Sequence, residues 1–256
     1  MRFDVVTLFP DLFAPHLSQG ITRRAFESGQ VEVHLWRLRD FATDAYRRVD
    51  DRPFGGGPGM VMLAEPLLAA LDAVAQARPP ESREVPVVNF TPTGVPLTQA
   101  MVEHFAASSG AVLLCGRYEG IDQRVIDERV THEFSLGDFV LSGGELPALA
   151  LLDAVARLQP GALAAPPPSL ARFSRGRRDG LLEGPQYSRP EVLVRPAGDR
   201  PVPPVLLSGH HGEIARWRRE KALALTARRR PDLIDAARAA GRLTAADERY
   251  LAALDI

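Results

Sequence analysis

Hydrophobic and polar positions follow two different rhythms along the chain up to residue 158. Short apolar runs bounded by turn residues predict strands, and longer stretches with apolar residues every three or four positions predict helices. The predicted strands are 3–9, 31–38, 85–91, 111–114 and 131–136, and the predicted helices are 21–28, 65–77, 98–107 and 145–158, with a turn and short helix over 119–128. Strands that alternate with helices indicate an α/β fold with a mostly parallel sheet.

The pattern changes after residue 160. Residues 161–178 contain Pro166-Pro167-Pro168 and no periodicity, which is typical of a mobile linker. Helical spacing returns over 212–227, 232–240 and 244–254, and no strand is predicted after about residue 207. We therefore expect three parts: an α/β domain over 1–160, a flexible linker over 161–178, and a small all-α domain over 179–256.

Composition is that of an ordinary globular protein. Hydrophobic residues make up 45% and charged residues 25% of the 256 residues, and the net charge is −1. No apolar stretch reaches the ~18 residues of a membrane span, and the N-terminus lacks the pattern of a signal peptide. Cys115 is the single cysteine. These features predict a cytoplasmic protein without a membrane partner, and a thiol that is buried and inert rather than reactive.

Two glycine-rich segments follow predicted strands. Residues 114–122 have the sequence LCGRYEGID and residues 136–147 have the sequence LGDFVLSGGELP. Ligand-binding loops of α/β sheets lie at strand ends, and glycine lets main-chain N–H and C=O groups approach a ligand closely. Each glycine alone also fits ordinary turn chemistry. Together the two segments predict one flat or folded ligand held largely by main chain.

These segments carry a family resemblance. GRYEGID followed by GDFVLSGGELP resembles the tRNA (guanine-N1)-methyltransferase family of the SPOUT class, which modifies the guanine immediately 3′ of the anticodon. Further blocks that are similar to those of the family, in the same order, are DDRPFGGGPGM at 50–60, GPQYSRP at 184–190 and VPPVLLSG at 202–209. The resemblance runs from residue 3 to about residue 230. It implies a SPOUT-type sheet with a trefoil knot toward its C-terminal end, and a homodimer with shared active sites.

The resemblance also implies that S-adenosylmethionine is the methyl donor and that the anticodon arm of tRNA, not DNA, is the partner. The implied donor-binding residues are Pro92, Gly94, Gly116, Tyr118, Leu136, Gly137, Phe139, Val140, Leu141, Gly143, Gly144 and Pro147. Two roles stay open for Glu119 and Asp138. Their carboxylates contact the positive end of the donor or the guanine edge, or they cap helices and lie at the surface.

Methylation of guanine N1 needs the donor and the base aligned, a base that removes the N1 proton, and a cation near O6. The resemblance assigns the cation to Arg157, for which the sequence alone equally fits a helix C-terminal arginine. The family places a catalytic aspartate in the linker, but Asp179 is the only acid from 161 to 180. Either Asp179 is the base, or another group serves, or activity is impaired. The last case would leave a noncatalytic RNA-binding relative.

RNA contact is expected from the C-terminal part and from the loop at 50–60. Arg216, Arg219 and Lys221 are expected on the exposed face of a helix whose apolar stripe is Ile214, Trp217 and Leu225, and Asp50 and Arg52 are the loop candidates. Lys221 is the only lysine, so the abundance of arginine also fits a compositional bias. The alternative is an amphipathic helix whose arginines are only solvated.

The sequence lacks the motifs of several other classes of ligand-binding protein. No acid or thiol stands at a suitable spacing from His210-His211 to complete a metal site, and whether Mg²⁺ assists is not readable from the sequence. A G-x-G-x-x-G turn after the first strand is absent, and the glycines at 55–59 lack the Lys-Ser/Thr of a P-loop. These absences argue against nicotinamide-dependent oxidoreductases, Rossmann-type methyltransferases and P-loop proteins.

Overall fold

The computed structural model describes residues 1–163 and 180–254. The chain divides into two compact units, Met1–Ala165 and Pro166–Ile256. Most of the expected linker at 161–178, and Asp179, lie outside the described residues. Ala162 is buried in the core of the first unit, so that unit extends beyond the predicted end at residue 160.

The first unit is built on a five-stranded parallel sheet. Its strands are β1 (Arg2–Thr7), β2 (Glu32–Arg37), β5 (Val87–Pro96), β6 (Gly110–Leu114) and β7 (His132–Ser135), and a separate antiparallel pair consists of β3 (Asp50–Asp51) and β4 (Val61–Met62). The strand order in the large sheet is β2-β1-β6-β5-β7. Every neighbouring pair in it is parallel, which confirms the predicted α/β class.

Six α-helices of the first unit are described. They are α1 (Ala14–Ser18), α2 (Arg23–Glu27), α3 (Ala64–Ala77), α4 (Gln99–Ala106), α5 (Gln123–Arg129) and α6 (Glu145–Ala156), with 3-10 turns at Pro10–Leu12, Leu38–Phe41 and Pro80–Ser82. Gly29 follows α2 with φ +73°, as a helix-ending glycine does. The Thr98 side chain accepts a hydrogen bond from the Met101 N–H and so caps α4.

Two sequence predictions about the strands need correction. β5 continues past residue 91 to Pro96, because a bulge between Phe90 and Val95 lets the strand resume its pairing with β7. No strand is predicted in or directly after the loop at 50–60, yet Asp50 and Asp51 pair with Met62 and Val61. Each strand of that pair has only two residues, which is too few to give a periodic pattern in the sequence.

The core lies on both faces of the sheet because side chains alternate along each strand. Phe3 and Val5 of β1 pack in one cluster with α4 and α6, whereas Val6 packs in a second cluster with α3. Helices therefore cover both faces. The carboxyl ends of the strands stay open for loops, which is where ligand sites form in such sheets.

A buried ion pair joins the amino end of the sheet to α3. Asp4 on β1 accepts a hydrogen bond from Arg78 Nε at 2.7 Å, and Arg78 also donates to the carbonyl oxygens of Arg2 and Ala111. Trp36 Nε1 and the Arg2 guanidinium complete the shell around the Asp4 carboxylate. Burial lowers the pKa of Arg78 from its ordinary value, and the charge of Asp4 opposes that effect. The pair fixes where α3 ends against the sheet.

The second unit is not entirely helical. Its helices are α7 (His211–Arg229), α8 (Pro231–Ala239) and α9 (Ala245–Ala252), with a 3-10 turn at Pro204–Leu206. An antiparallel ribbon of β8 (Val192–Leu193) and β9 (Arg200–Pro201) precedes them. The all-α expectation is therefore wrong for the residues before α7, where proline-rich turns obscure two-residue strands. Thr244 and Asp247 form a reciprocal capping box at the start of α9.

We predict that Arg78→Met lowers the free energy of unfolding of the first unit by about 3 kcal/mol, because it leaves a buried carboxylate short of a partner. The measurement is urea denaturation followed by Trp36 fluorescence in a Trp217→Phe background. The control is Arg124→Ala, which removes an exposed ion pair with Asp122 and should cost less than about 1 kcal/mol. Equal losses in the two variants would contradict the prediction.

Candidate functional site

The two glycine-rich segments meet at the carboxyl ends of β6 and β7. The Gly144 N–H donates a hydrogen bond to the Gly116 carbonyl oxygen at 2.9 Å. A Cβ added to Gly144 would lie 2.7 Å from the Cys115 Cα, which is closer than real Cβ contacts. Main chain therefore lies directly on main chain. The predicted proximity of the two segments is confirmed, and Gly144 is required by this approach rather than by its φ.

A buried carboxylate holds the two glycine-rich segments together at the crossing, the point where Gly144 contacts Cys115 and Gly116. Glu145, which is 1% exposed, accepts hydrogen bonds from Thr7 Oγ1 at 2.8 Å and from Arg117 Nε at 2.9 Å. Arg117 Nη1 also donates to the Ser142 carbonyl oxygen at 3.2 Å. The Arg117 guanidinium lies 4.5 Å from the centroid of the Phe9 ring. One arginine and one glutamate thus join the end of β1, both segments and the start of α6.

A cavity of about 450 Å³ opens beside this crossing. It is lined by the ends of β5 and β7 and by both glycine-rich segments. The lining residues are Asn89, Phe90, Thr91, Pro92, Thr93, Gly116, Arg117, Tyr118, Glu119, Gly120, Ile121, Gln123, Ile126, Glu133, Phe134, Ser135, Leu136, Phe139, Val140, Leu141, Ser142, Gly143 and Pro147. Apolar side chains, exposed main chain and a few polar groups are the usual composition of a small-molecule site.

Most of the residues singled out from the sequence line this cavity. They are Pro92, Gly116, Tyr118, Glu119, Leu136, Phe139, Val140, Leu141, Gly143 and Pro147. Gly94, Gly137, Asp138 and Gly144 do not line it. A Cβ on Gly94 would lie 2.6 Å from the Glu133 carbonyl carbon, so this glycine serves the contact between β5 and β7. Gly137 supports the turn under the Phe139 ring, and Asp138 is exposed to solvent.

The loop at 50–60 is fastened to the first segment. The Glu119 N–H donates to the Met60 carbonyl oxygen at 2.9 Å, and the Met62 N–H donates to the Gly120 carbonyl oxygen at the same distance. The Glu119 side chain occupies the space beside Gly59 that a Cβ would need. Tyr118 has φ +59°, a strained conformation for a residue with a side chain. The loop is therefore held against the first segment, although none of residues 50–60 lines the cavity.

Tyr118 lies beside the predicted RNA-binding residue Asp50. Burial raises the pKa of the Tyr118 phenol, and the nearby Asp50 carboxylate raises it further. Arg52 is exposed and its backbone N–H donates to Asp51 Oδ1. The structure thus places Asp50 against the first glycine-rich segment and Arg52 on the surface of the same loop.

Arg157 stands away from this cavity. It follows the last turn of α6, whereas Glu145 and Pro147 at the first turn adjoin the cavity. Twelve residues of helix at 1.5 Å each separate Glu145 and Arg157 by roughly 18 Å along the axis. Within one chain Arg157 therefore lies away from the cavity, and its role as the cation stays a prediction.

The second unit places its basic residues differently from the prediction. Arg216 and Lys221 are exposed, but Arg219 is half-buried and its Nε lies 3.0 Å from Asp247 Oδ1. The buried residues of α7 are Leu223 and Thr226, not the predicted stripe of Ile214, Trp217 and Leu225. Positions 219, 223 and 226 share one helical face, which turns Arg219 inward.

A basic groove runs along this unit. It has a volume of about 1000 Å³ and is lined by Arg216, Arg219, Glu220, Leu223, Arg242, Thr244, Ala246, Asp247, Arg249 and Tyr250. Arg242 and Arg249 were not identified from the sequence, because the groove depends on how α9 packs against α7. Four arginines and two acids give the groove a positive balance.

The single cysteine of the chain is buried. Among residues 1–163 and 180–254, no group of three or more His, Cys, Asp or Glu side chains is placed to hold a metal ion. Burial raises the pKa of the Cys115 thiol well above its usual value, which agrees with the predicted inert thiol. No helix in the described part of the chain is long and apolar enough to cross a membrane.

The fold and the site define an α/β protein with a cavity of small-molecule size at the carboxyl ends of a parallel sheet. Comparison with known proteins gives the family. Residues 1–236 match the family model described as tRNA (Guanine-1)-methyltransferase TrmD. Proteins named tRNA (guanine-N(1)-)-methyltransferase from Leptothrix cholodnii and Methylibium petroleiphilum are each 65% identical to the chain. The first match covers 100% of both proteins, and the second covers 99% of this chain and 98% of the relative. The chain belongs to the tRNA (guanine-1)-methyltransferase family.

We predict that Gly144→Ala destabilises the first unit by about 3 kcal/mol, because its Cβ would press on the Cys115 main chain and overpacking there cannot relax through a side chain. Gly212→Ala is the matched control. Gly212 lies in the first turn of α7 with nothing within 4 Å of an added Cβ, and alanine there should be neutral or stabilising by up to about 1 kcal/mol. Urea denaturation of both variants tests the pair. Similar stabilities would show that the close approach is unimportant.

Proposed function

We propose that this chain transfers a methyl group from S-adenosylmethionine to N1 of the guanine immediately 3′ of the anticodon in tRNA. The observation that carries the proposal is the crossing of residues 116–122 and 136–147 beside a cavity of about 450 Å³. Membership of the tRNA (guanine-1)-methyltransferase family supports it, as do relatives whose names state methylation of guanine N1 in tRNA.

The residues at the cavity fit an adenosyl donor. Its volume lies within the range of about 300–1,000 Å³ common for small-molecule sites. Leu136, Phe139 and Leu141 offer apolar surface for a ring, and the glycines at 116 and 143 leave main chain accessible. The Glu119 carboxylate is available to a positive group. When bound, S-adenosylmethionine would supply an electrophilic methyl group on a sulfonium ion.

The protein's own part in the reaction is alignment and charge. The proton on guanine N1 must move to a base, and the negative charge that develops at O6 needs a cation. We assign the cation to Arg157. The base is Asp179 in the first instance, although its position lies outside the described residues. If Asp179 is dispensable, a carboxylate already at the cavity, such as Glu119, takes that role.

A homodimer with shared sites would explain how Arg157 can act at a cavity that lies at the other end of α6. One chain holds the cavity at the start of this helix and Arg157 after its last turn, roughly 18 Å away. In a two-fold dimer, the Arg157 of one chain can serve the cavity of the other. We also propose the trefoil knot of the SPOUT class, which the main-chain contact between Gly144 and Cys115 supports.

The RNA-binding surfaces in this proposal lie on both units. Arg52 and Asp50 contact the anticodon arm from the loop beside the first segment, and Arg216 and Lys221 contact phosphates from α7. Arg219 remains a proposed RNA contact because it lines the groove, although Asp247 neutralises part of its charge. Exposed arginines in the groove favour the nucleic-acid backbone, whose charge is uniform along its length.

We predict methyl transfer to an unmodified tRNA transcript with guanine at the target position, and none to transcripts with another base there. The assay measures radioactive methyl incorporation with and without Mg²⁺. Asp179→Ala should lower turnover across about pH 6–9 and most at the low end, because guanine N1 holds its proton there and solvent bases replace the lost carboxylate only as the pH rises. Unchanged turnover across that range would remove Asp179 from the mechanism. Donor binding without any transfer would favour a noncatalytic RNA-binding relative.

We further predict that Arg157→Ala lowers kcat by about 10²–10³, as loss of a charge-stabilising group at a reacting oxygen does. A complementation experiment tests the shared site. Gly116→Val, whose side chain would enter the cavity, should also be inactive. Co-expression of the two variants should restore about one quarter of the wild-type activity, since half of the dimers are mixed and each has one intact site. No restoration would mean that the cavity and the Arg157 of one site come from the same chain.

A further inference from the structure

Asn89 is a buried polar side chain on the wall of the cavity. It is the only asparagine in the chain, is 6% exposed, and lies in β5 between Val88 and Phe90. Those two neighbours pack in the hydrophobic cluster on the opposite face of the sheet. Asn89 therefore points away from that cluster, and it lines the cavity. A buried amide is unfavourable unless its hydrogen-bonding groups are used.

The pairing of β5 with β7 fixes the orientation of this amide. Asn89 is the register partner of Glu133, and its Nδ2 donates to Glu133 Oε1 at 2.8 Å. A carboxylate accepts hydrogen bonds, so the amide nitrogen, not the oxygen, faces Glu133. The Asn89 Oδ1 atom is consequently turned away from β7.

That oxygen belongs to a residue that lines the cavity, and no protein donor reaches it in the described part of the chain. In the part of the chain that the structure describes, the contact with Glu133 is the only hydrogen bond of the Asn89 side chain. A Cβ added to Gly116, another residue of the cavity wall, would lie 3.8 Å from Asn89 Oδ1. The oxygen is thus a pre-oriented acceptor in the wall of the site. Its natural partner is an N–H or O–H group of the bound molecule.

We propose that Asn89 is a donor-binding residue of this site. Its carboxamide oxygen accepts a hydrogen bond from an N–H or O–H group of the methyl donor, and Glu133 positions the amide. The inference rests on the proposed function, because it takes an adenosyl compound as the ligand. It adds a side-chain contact to a site otherwise attributed to main chain.

The test is calorimetric titration of the whole protein with S-adenosylhomocysteine. Asn89→Ala should weaken its binding about tenfold or more, which corresponds to the loss of a hydrogen bond to a buried acceptor. The double variant Asn89→Asp with Glu133→Gln exchanges the amide and the carboxylate. It keeps both an internal hydrogen bond and an oxygen acceptor facing the cavity, and binding should stay within about threefold of the wild type. Asn89→Ser replaces Asn89→Ala if the latter does not fold.

Thr131→Ala is the structural control. Thr131 Oγ1 donates to the Val87 carbonyl oxygen and accepts from the Val87 N–H, which joins β5 to β7 away from the cavity. This variant should lower the melting temperature of the ligand-free protein and leave affinity unchanged. If Asn89→Ala behaves in the same way, Asn89 is only a strand-pairing residue and the inference is wrong. A wild-type protein that methylates tRNA would then leave the proposed function intact, whereas a wild type that binds no adenosyl compound would overturn both.

Discussion

The Glu145 carboxylate is the charge around which the candidate site is built. It is almost entirely buried, and a buried charge is tolerated only when its hydrogen-bonding capacity is used. Thr7, at the end of β1, and Arg117, in the first glycine-rich segment, use it. Its place at the first residue of α6 adds the favourable field of a helix N-terminus. These contacts bring a strand, two loops and a helix to one point, and the cavity exists because they converge.

The glycines of the site follow from this convergence. A Cβ on Gly143 would lie 2.3 Å from Arg117 Nε, and one on Gly144 would lie 2.7 Å from the Cys115 Cα. Neither glycine has positive φ, so backbone conformation does not require them. Gly59 differs, because it has φ +83° and also borders the Glu119 side chain. These glycines of the motif are therefore needed largely for packing around Arg117 and Glu145. The proposed binding of a ligand depends on that packing.

The sequence predicted what depends on short-range pattern and missed what depends on pairing between distant elements. Alternating strands and helices, the ends of most elements and the meeting of the two glycine-rich segments were predictable, because each has a local signal or a strong family likeness. Asn89 and Glu133 carry no local signal, since only the register of β5 against β7 makes them partners. An apolar stripe of Ile214, Trp217 and Leu225 predicts that Arg219 is exposed. Its spacing from the buried residues Leu223 and Thr226 instead places it on the inner face.

A site built largely from main chain recognises shape through backbone positions, and those positions are set by side chains that need not touch the ligand. Arg117 and Glu145 illustrate this, because their mutual contact decides where the residues at 142–144 lie. Such a site gains little discrimination from most substitutions at its lining. Discrimination falls instead to the few polar side chains that remain buried and oriented in the wall. Asn89 has both properties, since Glu133 fixes its amide and strand pairing fixes Glu133.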